Sequence, residues 1–182
     1  LYYATQLPHG PCITPDLGIY KDKPWDLKHK EWAAMLGHLD RGVGKMVDLL
    51  DQLEILNNTV IFFAGDNGYS QWGYFGRSLH KDDPLFKNKG PWPKGKLTST
   101  YEGGLRVPFF VYWKDKIKAE ENDHICALYD ISATVADLAN IAPPKNDGIS
   151  FAPILRGKPD EQEIHRYLYW ENGTKSRHAQ SI

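Results

Sequence analysis

The sequence is poor in the features that mark several large protein classes. Of its 182 residues only Cys12 and Cys126 are cysteines, and Cys12, in Pro11-Cys12-Ile13-Thr14-Pro15, has no second cysteine near it. Neither a disulfide framework nor a zinc site can be built on them. No apolar run approaches the roughly 20 residues that a membrane-spanning helix needs. An excess of one charge is also missing: 22 Lys+Arg against 23 Asp+Glu leave a formal net charge of -1. That balance gives no electrostatic reason to expect nucleic acid or an anionic membrane surface as a partner. Internal repeats and low-complexity tracts are absent. The chain opens on Leu1-Tyr2-Tyr3-Ala4 with neither an initiating methionine nor a signal peptide, so no localisation can be read from it. What is present, 41% hydrophobic and 13% aromatic residues, is the composition of a soluble, folded chain about one domain long.

Apolar periodicity marks the elements. From about Lys30 to Leu56 the residues Trp32, Leu36, Leu39, Val43, Met46, Leu50 and Leu53 recur every three or four positions. This is the period of an amphipathic helix, with Lys30, Asp40, Arg41, Lys45, Asp48, Asp51 and Glu54 as its solvated face. Asn57-Asn58 ends it. The continuous β-branched and aromatic run Thr59 to Ala64 then predicts a strand buried on both faces. Leu1 to Leu7 and Leu105 to Trp113 predict further strands, the latter with Pro108 near its start, where a missing N–H is tolerated. Asp130 to Ile141 predicts a helix stopped by Pro143-Pro144, and Tyr167 to Trp170 a short strand. Helices alternating with buried strands indicate an α/β fold. Residues 69–100 have no period, and a structureless stretch of that length inside a compact domain is usually functional. The texture changes near residue 142. We therefore expect residues 1–141 to form the α/β domain and residues 142–182 to begin a smaller α+β subdomain.

In open α/β sheets ligands bind beyond the carboxyl ends of the strands. The polar residues placed there are His9, then Asp66 with Asn67, then Lys94 and Lys96 in the following loop. A carboxylate beside an amide carbonyl offers hard oxygens suited to calcium or magnesium, although Asp-Asn-Gly is also an ordinary turn signal. His9, between prolines, suits a general acid or an oxyanion donor, and equally a solvent-exposed loop histidine. Lys94 and Lys96 suit an anionic substrate as point charges, or simply a solvated loop.

Taken in order, these segments carry a resemblance. Leu7-Pro8-His9-Gly10-Pro11, His38-Leu39-Asp40 with Val43-Gly44, Asn58 to Phe63 leading into Asp66-Asn67-Gly68, Thr100-Tyr101-Glu102-Gly103-Gly104-Leu105-Arg106-Val107-Pro108, and Asp130 to Ala139 together resemble the type I sulfatases over nearly the whole chain. The resemblance implies an alkaline-phosphatase-like sheet with flanking helices, present here as a C-terminal fragment. It implies a bound calcium, in preference to magnesium, and a nucleophile made by oxidising Cys or Ser to formylglycine. Asp66 and Asn67 fall on the family's C-terminal pair of calcium ligands. His9 falls on the histidine that contacts the sulfate and assists the leaving oxygen. The family's sulfate-binding lysine lies upstream of Glu-Gly-Gly, where Lys96 is the nearest match. Lys96 stands one residue farther from Glu102 than the family spacing, so Lys94 stays in play. Glu102-Gly103-Gly104 and Arg106 read as structural, the glycines for close backbone approach and Arg106 as a tie to the sheet.

The family's modification motif, Cys or Ser followed at fixed spacing by Pro and Arg, does not occur in these residues. The expected arrangement is therefore that the nucleophile and the rest of the calcium shell lie upstream, that the remaining N-terminal part of the same protein is a partner, and that this chain alone is inactive. The implied substrate is a sulfate-ester small molecule or a sulfated carbohydrate, with residues 69–93 setting specificity, and no nucleic acid or membrane partner is expected. A periplasmic, secreted or lysosomal location goes with the resemblance. Two rival readings remain: a phosphodiesterase or phosphonate hydrolase of the same superfamily, and a non-catalytic binder of sulfated glycans in which Trp72, Trp92 and Trp113 stack on sugar rings.

Overall fold

A computed structural model of the chain describes residues 1–70, 83–86, 90–92, 94–96, 100–143, 145–174 and 177–181. Trp72 lies outside them. The described chain falls into two compact units, the first made of Leu1–Leu56 and Phe62–Phe110, the second of Asn57–Ile61 and Val111–Ile182.

In the first unit the predicted helix is α1, Leu27–Gln52. It begins earlier than the apolar period suggests because Asp26 supplies an extended N-cap residue whose carbonyl already accepts the amides of His29 and Lys30. It stops earlier too. Glu54 takes a left-handed backbone, φ 58°, and the amide of Ile55 closes back on the carbonyl of Leu50 at 3.0 Å, a helix-ending turn that the apolar pattern running on to buried Leu56 conceals. The buried face lies near the start, on Ala33, Ala34 and Met35, with His29 and Glu31 also buried.

Residues 83–86 dock on this buried end. His29 Nε2 lies 2.8 Å from Asp83 Oδ2, while Asp83 Oδ1 accepts the amides of Leu85 and Phe86. The Phe86 ring packs 4.8 Å from Trp32 and edge-on to Trp25 at 5.6 Å. Burial alone would raise the Asp83 carboxyl, but the bonds from His29, Leu85 and Phe86 outweigh it and hold the group below its ordinary range. A depressed carboxyl contributes stability that is present above its unfolded pKa and is lost as pH falls through the folded value. Asp83→Asn is therefore expected to lower stability at neutral pH by about 1–3 kcal/mol, and the gap to wild type should close in denaturant melts below about pH 4. An equal gap at every pH would exclude the Asp83 carboxylate charge as the cause.

Strand β1, Val60–Ala64, falls within the predicted run and hydrogen-bonds to β2, Phe109–Trp113. Phe62 packs on Phe109 and Phe63 on Phe110. Because successive side chains of a strand point to opposite faces, both faces are aromatic. The strand is half-buried rather than buried on both faces, since β2 is its one hydrogen-bonded neighbour among the described residues. β2 starts later than expected: Glu102–Leu105 forms a single helical turn, α2, before it, and the strand begins only past Pro108, which has no N–H to pair. The expectation of a buried strand at Leu1 to Leu7 is corrected. Leu1, Tyr2 and Tyr3 are 116%, 92% and 62% exposed and belong to no strand. The Thr5 hydroxyl accepts the Leu7 amide at 3.1 Å and His9 N–H reaches the Gln6 carbonyl at 2.7 Å, so local turns take the groups a ladder would use.

The second unit is organised by α3, Asp130–Leu138. Asn140, at φ 53°, ends this helix before the prolines can. Asp130 is 1% exposed and joins three segments, accepting from the amides of Ala127 and Ile149 and lying 2.9 Å from His165 Nε2. Thr134, one turn on, donates to the Asp130 carbonyl and accepts the Phe151 amide. Around these polar groups pack Ala133, Ala136, Phe151 and Ala152, the last opening the short helix α4, Ala152–Leu155. The Ser150 hydroxyl and Arg156 guanidinium bond to Asp137 and hold its carboxyl below the usual range against the effect of burial. The strand expected at Tyr167 to Trp170 is displaced to β3, Trp170–Thr174, which pairs antiparallel with β4, Arg177–Ser181.

Candidate functional site

His9, Asp66, Asn67, Lys94 and Lys96 all lie in the first unit. At the end of β1 the chain enters Gly65-Asp66-Asn67-Gly68. Two backbone bonds pin this turn to the segment before β2, from Gly65 to the Pro108 carbonyl at 3.2 Å and from Gly68 to the Gly104 carbonyl at 2.9 Å. Gly68 is buried against Gly103: a Cβ there would meet the Gly103 oxygen at 2.1 Å. Close backbone packing is thus what Gly68 and its partners Gly103 and Gly104 provide. Asp66 and Asn67, between the pinned glycines, are exposed. The Asn67 amide nitrogen donates to the Gly68 carbonyl at 3.0 Å, a bond that does not use its Oδ1.

The next residue, Tyr69, ties this turn to the lysine loop. Its carbonyl accepts the Lys96 amide at 2.9 Å and its phenol donates to the Trp92 carbonyl at 3.0 Å. Gly95 is buried between those two bonds, where a Cβ would come within 2.1 Å of the Tyr69 oxygen. Lys94 stands at the tip of the loop with a left-handed backbone, φ 56°, and its ammonium lies 3.9 Å over the Tyr101 ring. Lys96 is half-buried. Arg106 ion-pairs with Glu102 and stacks at 4.6 Å on Trp92, so it ties helix α2 to the lysine loop.

The strand-end carboxylate and amide and the two lysines therefore sit on loops bonded to one another. His9 is exposed on the turn after Leu7, and the bonds that hold it are local. Its Nδ1 lies 2.6 Å from the Gly10 carbonyl. A carbonyl only accepts, so Nδ1 carries the hydrogen and Nε2 is left for another partner. Tyr69 was not singled out by sequence reasoning, which saw residues 69–100 as one aperiodic stretch. The signal it offered was a glycine between two lysines, which marks a close backbone approach without naming what approaches.

As a cation site, Asp66 and Asn67 offer the right atoms, hard oxygens adjacent on a pinned turn, but only part of the six to eight that calcium takes. Among the described residues no group of three or more His, Cys, Asp or Glu side chains could complete a metal shell. No helix among them is long and apolar enough to cross a membrane.

A family model described as Sulfatase matches residues 1–141. Human N-acetylgalactosamine-6-sulfatase is 28% identical over 174 residues, which is 92% of this chain and 30% of that protein. An Escherichia coli protein described as the uncharacterized sulfatase YdeN is 30% identical over 175 residues, 93% of this chain and 29% of its own. Among solved structures, Ps i-CgsB in complex with k-i-k-neocarrahexaose matches with a TM-score of 0.71 at 26% identity, covering 96% of this chain and 37% of that one. The chain thus spans about 30% of the length of the curated relatives it matches.

Proposed function

Because the chain belongs to the sulfatase family and carries the α/β fold of its alkaline-phosphatase-like members, we propose that the protein hydrolyses sulfate esters and that its substrate is a sulfated carbohydrate. The observation that carries this is the linked loop cluster at the end of β1, where hard oxygen donors stand on one turn and lysines on a second turn bonded to it. The substrate class is supported by two relatives, the one named for N-acetylgalactosamine 6-sulfate and the one solved with a neocarrahexaose.

In this reading Asp66 and Asn67 Oδ1 are two ligands of a calcium ion, the remainder coming from outside these residues. When bound, calcium would polarise the sulfate oxygens and offset the charge that develops on them. Lys96 places a fixed cation on the sulfate group from the other side of the cluster. His9, with Nδ1–H tied to Gly10, presents Nε2 to the ester oxygen, and in its doubly protonated form gives the Nε2 proton to that oxygen as it leaves, returning to the neutral ring. We assign the nucleophile, a formylglycine, to the part of the protein that lies outside this sequence, because the modification motif does not occur here.

The test is an assay of the full-length protein on N-acetylgalactosamine 6-sulfate and on the matching phosphate ester. We expect sulfate release that stops on chelation and returns with calcium. His9→Ala should lower kcat on the order of 10²- to 10⁴-fold while the calcium content stays the same. Preference for the phosphate ester, or a His9→Ala enzyme as fast as wild type, would overturn the assignment.

A further inference from the structure

We propose that Tyr69 is the positioning residue of this site, setting its affinity for the sulfate group by holding Lys96 in place against the Asp66–Asn67 turn. This rests on the sulfatase reading for the identity of the anion, but the geometry stands apart from it. One residue grips the lysine loop at both ends: the Tyr69 phenol holds the Trp92 carbonyl at 3.0 Å and the Tyr69 carbonyl holds the Lys96 amide at 2.9 Å. Between them Gly95 packs so tightly on Tyr69 that no side chain fits. On its other side Tyr69 follows Gly68, whose amide is bonded to Gly104. The grip therefore hangs from the same pinned turn that carries Asp66 and Asn67, so Tyr69 joins that turn directly to the Lys96 backbone.

The same geometry separates the lysines. Lys94 is exposed at the tip, and its ammonium is occupied by the Tyr101 ring. Lys96 is half-buried and has its backbone clamped. A clamped backbone leaves only side-chain freedom to lose when an anion binds, and less ordering cost means tighter binding. Removal of the phenol oxygen takes away the hydrogen bond at the Trp92 end of the loop, where the Arg106 stacking remains, and leaves the ring and the bond to Lys96 in place. The loss should appear as weaker anion binding rather than as a loss of fold.

The experiment is a double-mutant cycle on the full-length protein, read by calorimetric titration with inorganic sulfate and by steady-state kinetics on a sulfate ester. Tyr69→Phe is expected to raise the sulfate Kd and the KM by about five- to tenfold with kcat changed less than about twofold, the mark of lost uniform binding. In a Lys96→Met background the same substitution should change sulfate affinity by less than about twofold, because the residue through which it acts is gone. Equal weakening in both backgrounds, no weakening in either, or loss of the fold by Tyr69→Phe would overturn the proposal. The titration separates this inference from the functional one. Sulfate binding that depends on Tyr69 without hydrolysis would sink the hydrolase and keep the clamp. Hydrolysis indifferent to Tyr69→Phe would do the reverse, and a protein that binds no sulfate would sink both.

Discussion

Asp66→Ala in the full-length protein is expected to cut turnover of a sulfate ester on the order of 10³-fold while barely moving the melting temperature. The two halves of that expectation have different causes. Asp66 is exposed on a turn whose shape is set by backbone bonds at Gly65 and Gly68, so packing loses little when its carboxylate is removed, and exposed substitutions of this kind usually stay within about 0.5 kcal/mol. Its proposed work is electrostatic. A carboxylate is the charged member of the Asp66–Asn67 pair, and without it the neutral Asn67 carbonyl alone contributes from this strand end, so calcium occupancy should fall with activity. Asp66→Asn, which keeps an oxygen but not the charge, should fall between the two and recover partly at raised calcium. Metal content measured alongside rate decides the matter. Loss of rate with full calcium occupancy would remove Asp66 from the metal shell, and unchanged rate would remove it from the site.

How much of this was legible beforehand depends on the kind of interaction involved. Helix α1 was legible because its apolar residues recur every three or four positions, and strand β1 because its apolar run is short, β-branched and aromatic and ends in a glycine turn. The ends of α1 were not, because an N-cap residue at Asp26 and a left-handed turn at Glu54 are single-residue events inside or beyond the apolar stripe. Leu1 to Leu7 misled for a different reason. Strand propensity describes a surface that fits a sheet, and a strand forms only where another offers its hydrogen bonds; here Thr5 and Gln6 close turns instead. The candidate residues at the end of β1 were found from their position after a buried run, which is local information. The clamp through Tyr69 was invisible because it joins residue 69 to residues 92 and 96 by two hydrogen bonds, and one of those uses only backbone atoms that every residue possesses. The pairing of buried Asp130 with His165 was hidden in the same way, the two being separated by 35 positions.

Gly68→Ala is expected to be the most damaging small substitution in the first unit, destabilising it by about 3 kcal/mol and removing activity with it. A methyl group there would sit 2.1 Å from the Gly103 oxygen, 2.8 Å from the Gly103 carbon and 2.9 Å from the Gly104 carbon. All three are backbone atoms, so no side chain can rotate aside, and either the turn or helix α2 must shift. The shift breaks the 2.9 Å bond from Gly68 to the Gly104 carbonyl, leaving both groups to find new partners. It also moves the neighbours on either side of Gly68, namely Asn67 with its proposed metal oxygen and Tyr69 with its hold on Lys96. A control of the same chemistry separates crowding from any general effect of replacing glycine. Gly42 lies inside α1, where an added Cβ meets nothing within 4 Å, so Gly42→Ala should stabilise the helix by about 0.5–1 kcal/mol. Denaturant unfolding and sulfate titration of both variants, side by side, give the outcome. A Gly68→Ala protein as stable as wild type, with sulfate affinity retained, would mean that the turn and helix α2 are not packed as closely as these contacts require, and the account of how the site is held together would fall with it.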